Sequence, residues 1–420
     1  GMSRHSVWIA LLLAGTLPAA EFPPPADLPP IEAVATLLDE HPVVREAEAR
    51  LRVAAAERDA LGAGSHEVQL RLLGQRRDIT GDPRRSNEWS ASVERGFRLF
   101  GKAGLDRQIG ARGVTEAQEK VGDARHETGR QLLGLWYGAL RAAEELRLRT
   151  DQASLLEEVR GTVETRTRRG DAARLDLLQA DAALAQARSA QQQALGRQQA
   201  AHGALRASFP SLPAVTPKAV DPVLPAGDQA GWVAATLEHN HELLAVQSAL
   251  EASRLAARRA NRDQWLPDPT LGLFYLNEQH HDEEIVGMSV AIPISGGARR
   301  AQARKQLGET EALAALEVAT RRRLAAEAVV NWEHAVSGVE TWRQLEAAAQ
   351  ATTRHADLAR RAFELGELPL AESLLARRNA AEAGVAAAQA RLDANEAIAR
   401  LLLDSHRLWP THDDDEPEGH

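Results

Sequence analysis

The chain has 420 residues, 44% of them hydrophobic but only 4% aromatic. That composition suits long, closely packed helices better than a thick aromatic core. The net charge of −9 argues against a nucleic-acid surface, and the absence of cysteine removes disulfides, thiolate chemistry, cysteine metal sites and a cysteine-borne lipid anchor.

In chain order, residues 1–20 read as a secretory signal peptide. Arg4 and His5 precede the apolar run Val7 to Ala14, and small residues end at Ala19-Ala20. The run is too short to span a bilayer as a helix. A proline-rich lead follows from Phe22 to Pro30, then a helical pattern from Ile31 to about Gly62. The period then changes to two. Val68, Leu70 and Leu72 alternate with Gln69 and Arg71, and Trp89, Ala91 and Val93 with Ser90, Ser92 and Glu94. This predicts a strand pair within 67–97, each strand about as long as a tilted membrane-crossing strand. From about Leu105 to Arg169 the helical pattern runs with few breakers, on the order of 95 Å of helix. Gly170 marks a turn, and a return helix reaches about Ser208.

Residues 209–230 are a proline-rich linker, after which the order repeats. A helix over Trp232 to Arg262 precedes a strand pair within 270–292, a long helix from Arg299 to Leu365, a turn at Gly366 and a final helix to about His406. An acidic tail, 407–420, reads as disordered. Gly101 and Gly297, Trp136 and Trp332, Gly170 and Gly366, Asp176 and Glu372, and Leu205 and Leu401 each lie 196 positions apart. The chain therefore reads as two structural repeats, 21–208 and 231–406. Four strands cannot close a barrel, and open edges cannot face lipid, so oligomerisation is the simplest remedy.

These features together resemble the TolC family of outer-membrane efflux proteins. The resemblance rests on the strand-to-helix exits Phe97-Arg98-Leu99-Phe100-Gly101-Lys102 and Ile292-Pro293-Ile294-Ser295-Gly296-Gly297. It rests also on the tip patterns around Gly170-Asp176-Leu177-Leu178 and Leu365-Gly366-Glu367-Leu368-Glu372, and on the duplication. It implies a mainly α-helical chain with four β-strands, closing as a homotrimer into a 12-stranded transmembrane barrel and an α-helical tunnel. It further implies residence in outer-membrane lipid of a Gram-negative bacterium, a periplasmic adaptor, and an inner-membrane transporter of the RND type. On the same grounds Gly170, Leu365, Gly366 and Leu368 fall at adaptor-contacting tips, and Asp176 and Glu372 near the tunnel entrance. The PISGG exit and the His280-His281-Asp282 loop are similar to the CzcC-like branch serving heavy-metal cations.

Other readings stand beside these. Asp176 and Glu372 also fit solvated carboxylates in the first turns of helices, where the helix dipole favours them. His280 and His281 fit either a metal contact or a solvated loop. No catalytic constellation or cofactor motif is legible, so no enzyme and no cofactor is expected. A soluble periplasmic coiled-coil adaptor or scaffold is the competing class, but two strand pairs each leading into a long helix fit a shared barrel better.

Overall fold

A computed structural model describes residues 25–78, 80–81, 85–279 and 282–409. The signal-peptide reading of 1–20, His280, His281 and residues 410–420 lie outside the described residues. The elements run α1 (Ile31–Asp39), α2 (Pro42–Ala63), β1 (Gln69–Asp78), β2 (Arg85–Gly96), α3 (Lys102–Arg169), α4 (Arg174–Ser208), α5 (Gln229–Glu238), α6 (His241–Trp265), β3 (Thr270–Glu278), β4 (Glu283–Ala291), α7 (Gly297–Glu364) and α8 (Leu370–Asp404).

The helices preceding each strand pair differ from the single runs expected. Pro42 cannot continue α1, and it opens α2 behind His41, whose Nδ1 accepts from the Val43 N–H at 3.4 Å. In the second half the Asn240 side chain caps α6 by accepting from the Leu243 N–H at 2.9 Å. Both breaks are local capping events inside an otherwise helical pattern.

The two long helices are continuous. α3 and α7 are each 68 residues, about 100 Å, and their return helices α4 and α8 are each 35. Each hairpin turns through the same motif. At the first tip the Asp171 N–H donates to Arg166 O at 2.9 Å and Gly170 stands at φ 83°. At the second the Glu367 N–H donates to Ala362 O at 2.9 Å and Gly366 stands at φ 80°. Glycine takes the left-handed position that closes a helix because it has no Cβ to clash.

The four strands form one antiparallel sheet in the order β1-β2-β3-β4, so the two halves are joined by direct pairing of β2 with β3, Val93 opposite Leu273. The main core lies in the middle of the helical body. Leu132, Leu133, Trp136, Tyr137 and Leu140 of α3 meet Ile398, Leu401 and Leu402 of α8, Val34 of α1, and Trp232 and Trp332. The segment between α4 and α5 lies along this core, with Phe209 fully buried and the Asn395 side chain donating to Val220 O at 2.9 Å. The packed chain extends past 406, because Leu408 and Trp409 are buried in the same core. Towards the tips the core breaks into small clusters in which alanine is common: Ala153 and Ala187 with Leu156 and Leu184, Val163 and Ala180 with Leu370, and Ala356 with Ala359 and Ala376. Small side chains there let the helices approach closely without large apolar layers.

Candidate channel-forming surfaces

Register sorts the strand residues onto two faces. One row runs Leu70, Val93, Leu273, Met288, and the next Leu72, Ala91, Tyr275, Val286. The opposite face is mixed: it carries Arg71, Ser92, Phe274 and Gly287, then Gln69, Glu94, Gly272 and Ser289, and towards the turns Leu73, Ser90, Leu276 and Ile285. Successive residues alternate because strand side chains have a period of two. Among the described residues no helix packs over either face. Leu72 is 69% exposed and Met288 72%. An apolar sheet face of this size needs a cover, and the described residues do not supply one.

The two faces also differ in charge. On the polar face Arg77 lies 3.1 Å from Glu88 and 3.2 Å from Glu278, and Gln75 donates to Glu88 at 2.8 Å. Charges on that face are paired across strands. On the apolar face Trp89 and Tyr275 contact at 5.1 Å between ring centroids near the turns. Phe97, Phe100 and Trp265 are exposed at the opposite end, so aromatic side chains bracket the apolar band at both limits.

Where strands become helices, a buried charge network fixes the geometry. Lys102, the first residue of α3, is 1% exposed. Its Nζ donates to Asp268 at 2.7 Å, to Asp263 at 2.9 Å and to Leu266 O at 2.6 Å. Burial pushes the Asp268 carboxyl up, but hydrogen bonds from His66, Lys102 and the Leu99 N–H outweigh it and hold the group at about 2. Arg98 donates to Asp106 at 2.9 Å and to Leu61 O and Gly62 O at 2.7 Å, and Arg259 donates to the other Asp106 oxygen at 2.9 Å. Phe100 and Gly101 both have positive φ, which reverses the chain between β2 and α3. A Cβ on Gly101 would lie 2.7 Å from the Arg262 guanidinium, which donates to Phe100 O. Sequence reading had marked the segment from Phe97 to Lys102 but not its carboxylate partners. Asp106 lies eight positions from Arg98, but Asp263 and Asp268 lie more than 160 positions from Lys102, and only folding brings them together.

The hairpin tips present the remaining surface. Gly170 and Gly366 are exposed in open space, and Leu365 is 75% exposed. Leu368 is half-buried against the Ala356, Ala359 and Ala376 cluster. Leu175 and Leu178 on α4 and Leu358 on α7 add exposed apolar side chains near the tips. Asp176 and Glu372 both sit in the first turn of their return helices, half-buried and exposed respectively. Among the described residues no helix is long and apolar enough to cross a membrane, and no group of three or more histidine or acidic side chains is arranged to hold a metal ion.

A four-stranded sheet with an apolar face that no described helix covers thus leads, through a charged corner, into two helical hairpins about 100 Å long. No protein-family model and no curated sequence matches the chain. Solved structures do. The outer-membrane channel OprN is similar over 90% of this chain and 90% of its own, with a TM-score of 0.76 and 19% identity. The CmeC outer-membrane channel of Campylobacter jejuni is similar over 90% of this chain and 85% of its own, with a TM-score of 0.73 and 14% identity. The channel CusC is similar over 92% and 97% respectively, with a TM-score of 0.71 and 14% identity. The chain thus has the TolC-like outer-membrane channel fold.

Proposed function

We propose that the chain is one protomer of a passive outer-membrane efflux duct. The observation that carries this reading is the sheet: among the described residues one face is apolar and uncovered, the other carries the cross-strand ion pairs of Arg77 with Glu88 and Glu278, and both edge strands, β1 and β4, have no neighbour. Unpaired backbone groups in lipid cost several kcal/mol each, on the order of the penalty for burying a bare amide. The strands alternate in direction, so β4 of one copy can pair antiparallel with β1 of the next. Three copies give 12 strands, with the apolar face towards outer-membrane lipid and the polar face towards the lumen.

The hairpins then continue the duct into the periplasm as an α-helical tunnel. Gly170, Leu365, Gly366 and Leu368 meet a periplasmic adaptor, which links the duct to an inner-membrane transporter of the RND type. Asp176 and Glu372 face the tunnel entrance, where threefold repetition makes rings of negative charge that favour cations. The cargo is small solutes, metal cations among them, and residues 1–20 direct export. The similarity to OprN, CmeC and CusC supports the fold on which this reading rests.

The test is fractionation of cells expressing the precursor, followed by the mass of the detergent-extracted protein. Recovery in the outer-membrane band at three times the chain mass is the expected result. Recovery of a monomer in the soluble periplasmic fraction overturns the duct and favours a coiled-coil scaffold.

A further inference from the structure

One charge stands among the apolar rows of the sheet. Arg95 of β2 is opposite Leu271 of β3, which is opposite Val290 of β4. By the alternation of strand side chains Arg95 shares its face with Val93 and Phe97, two residues to either side. The Phe97 N–H donates to Pro269 O at 2.9 Å, which carries the pairing one residue beyond β2. Arg95, Val93, Phe97, Leu271 and Val290 are all exposed. A guanidinium is thus flanked, along and across the strands, by apolar side chains on the face that the proposed barrel turns to lipid.

Other arginines of the sheet and its corner have carboxylate partners. Arg71 lies 3.5 Å from Glu94, Arg77 3.1 Å from Glu88, and Arg98 2.9 Å from Asp106. Among the described residues Arg95 has no hydrogen bond and no ion pair. Its neighbour Glu94 points to the opposite face, and Asp268 at the corner is taken by Lys102 and His66. Both strands that flank Arg95 belong to its own chain, so β4 of a second copy lies no nearer than two strands, roughly 9.5 Å. The outward residues at this end of β4, Met288, Val290 and Ile292, offer no carboxylate either.

Depth decides what such a group costs. A lone guanidinium on the lipid face is expensive at the bilayer midplane and cheap near the interface. Two residues of strand rise roughly 6.8 Å, a distance that an extended arginine side chain covers. Arg95 can lay its stem along Phe97 and bring its head to the level where Phe97, Phe100 and Trp265 end the apolar band. The headgroup phosphates of a phospholipid leaflet lie at that level. A guanidinium binds phosphate oxygens through two parallel N–H donors, so the group left unpaired by the protein matches the acceptor that the membrane supplies.

We propose, resting on the barrel reading above, that Arg95 binds a glycerophospholipid phosphate of the periplasmic leaflet, one lipid to each chain. Three chains place three such contacts at one height around the barrel. The contacts fix its depth in the membrane, and with it how far the helical hairpins reach below.

The test is native mass spectrometry of the full protein, released from maltoside detergent after incubation with phosphatidylglycerol or with a diglucosyl diacylglycerol of the same chains, which has no phosphate. Wild type is expected to retain one more phosphatidylglycerol per chain than Arg95→Leu. That site is expected to half-fill at about tenfold lower lipid concentration in wild type, the effect of one charge-assisted hydrogen bond. Retention of the glycolipid is expected to be the same in both. Arg95→Leu continues an apolar row, and if it does not fold Arg95→Gln takes its place. Equal retention of phosphatidylglycerol by wild type and variant, or a wild-type excess that the glycolipid matches, overturns the anchor. The same spectra count chains: a trimer without the lipid difference overturns the anchor and leaves the duct, whereas a monomer overturns the duct and the anchor with it.

Discussion

Leu132 and Leu72 are the same residue type in opposite circumstances. Leu132 and its neighbours Leu133, Tyr137 and Leu140 are at most 1% exposed in the middle of the helical body, whereas Leu72 and Met288 on the sheet are about 70% exposed. The helical body satisfies its apolar side chains internally. The sheet does not: among the described residues nothing covers its apolar face, which is the face the proposed barrel would turn to lipid. The junction around Lys102 is where one regime gives way to the other.

The largest effect is expected at that junction. Lys102→Ala leaves Asp268 and Asp263 without their shared cation, and breaking a buried pair of this kind costs about 3–5 kcal/mol. Loss of folded, heat-resistant protein on a gel is the readout, and unchanged heat resistance would show that the corner does not hold the regions together. Leu401→Ala in the core comes next, at about 2–5 kcal/mol, measured by the denaturation midpoint. A surface leucine would lose far less, so a loss under 1 kcal/mol would refute the main-core assignment. On the sheet, Leu72→Arg is expected to cost about 2–4 kcal/mol in lipid, with protein lost from the outer membrane rather than from the cell. Wild-type amounts in the membrane fraction would place that face away from lipid.

Acid titration sharpens the same boundary. Burial pushes the folded Asp268 carboxyl up, but hydrogen bonds from His66, Lys102 and the Leu99 N–H hold it at about 2, below the ordinary aspartate range, so it stabilises the native state above pH 4. That contribution, about 2 kcal/mol, fades as pH falls from 4 towards 2. Asp268→Asn is expected to flatten this limb of the stability profile. The smallest effect on stability belongs to the tip. Leu365→Asp touches an exposed side chain and is expected to stay within about 0.5 kcal/mol of wild type. Adaptor capture by the same variant is expected to fail. Normal capture would move the contact elsewhere.

Much of the fold is legible in the sequence. The period of two over 68–76 and 88–97 marked strands, and the glycines at 170 and 366 marked the turns, because both signals depend on neighbours in the chain. The breaks at His41-Pro42 and Asn240 were missed. Each is one cap inside a strong helical pattern, and helical periodicity on both sides masks it. The candidate site divides in the same way. Leu365 and Gly366 could be placed at a tip from local sequence. Lys102 is not recognisable in the sequence as a buried cation, because its partners Asp263 and Asp268 are more than 160 positions away.

By itself, then, the sequence determined the kinds of element, their lengths and their twofold order, since backbone propensity and side-chain periodicity act over a few residues. The tertiary structure alone decided that β2 pairs with β3 to make one sheet, that both sheet edges stay open, and that carboxylates from α6 and the following loop neutralise Lys102. Those outcomes depend on long-range packing and on charges that cannot be buried unless a distant partner arrives with them.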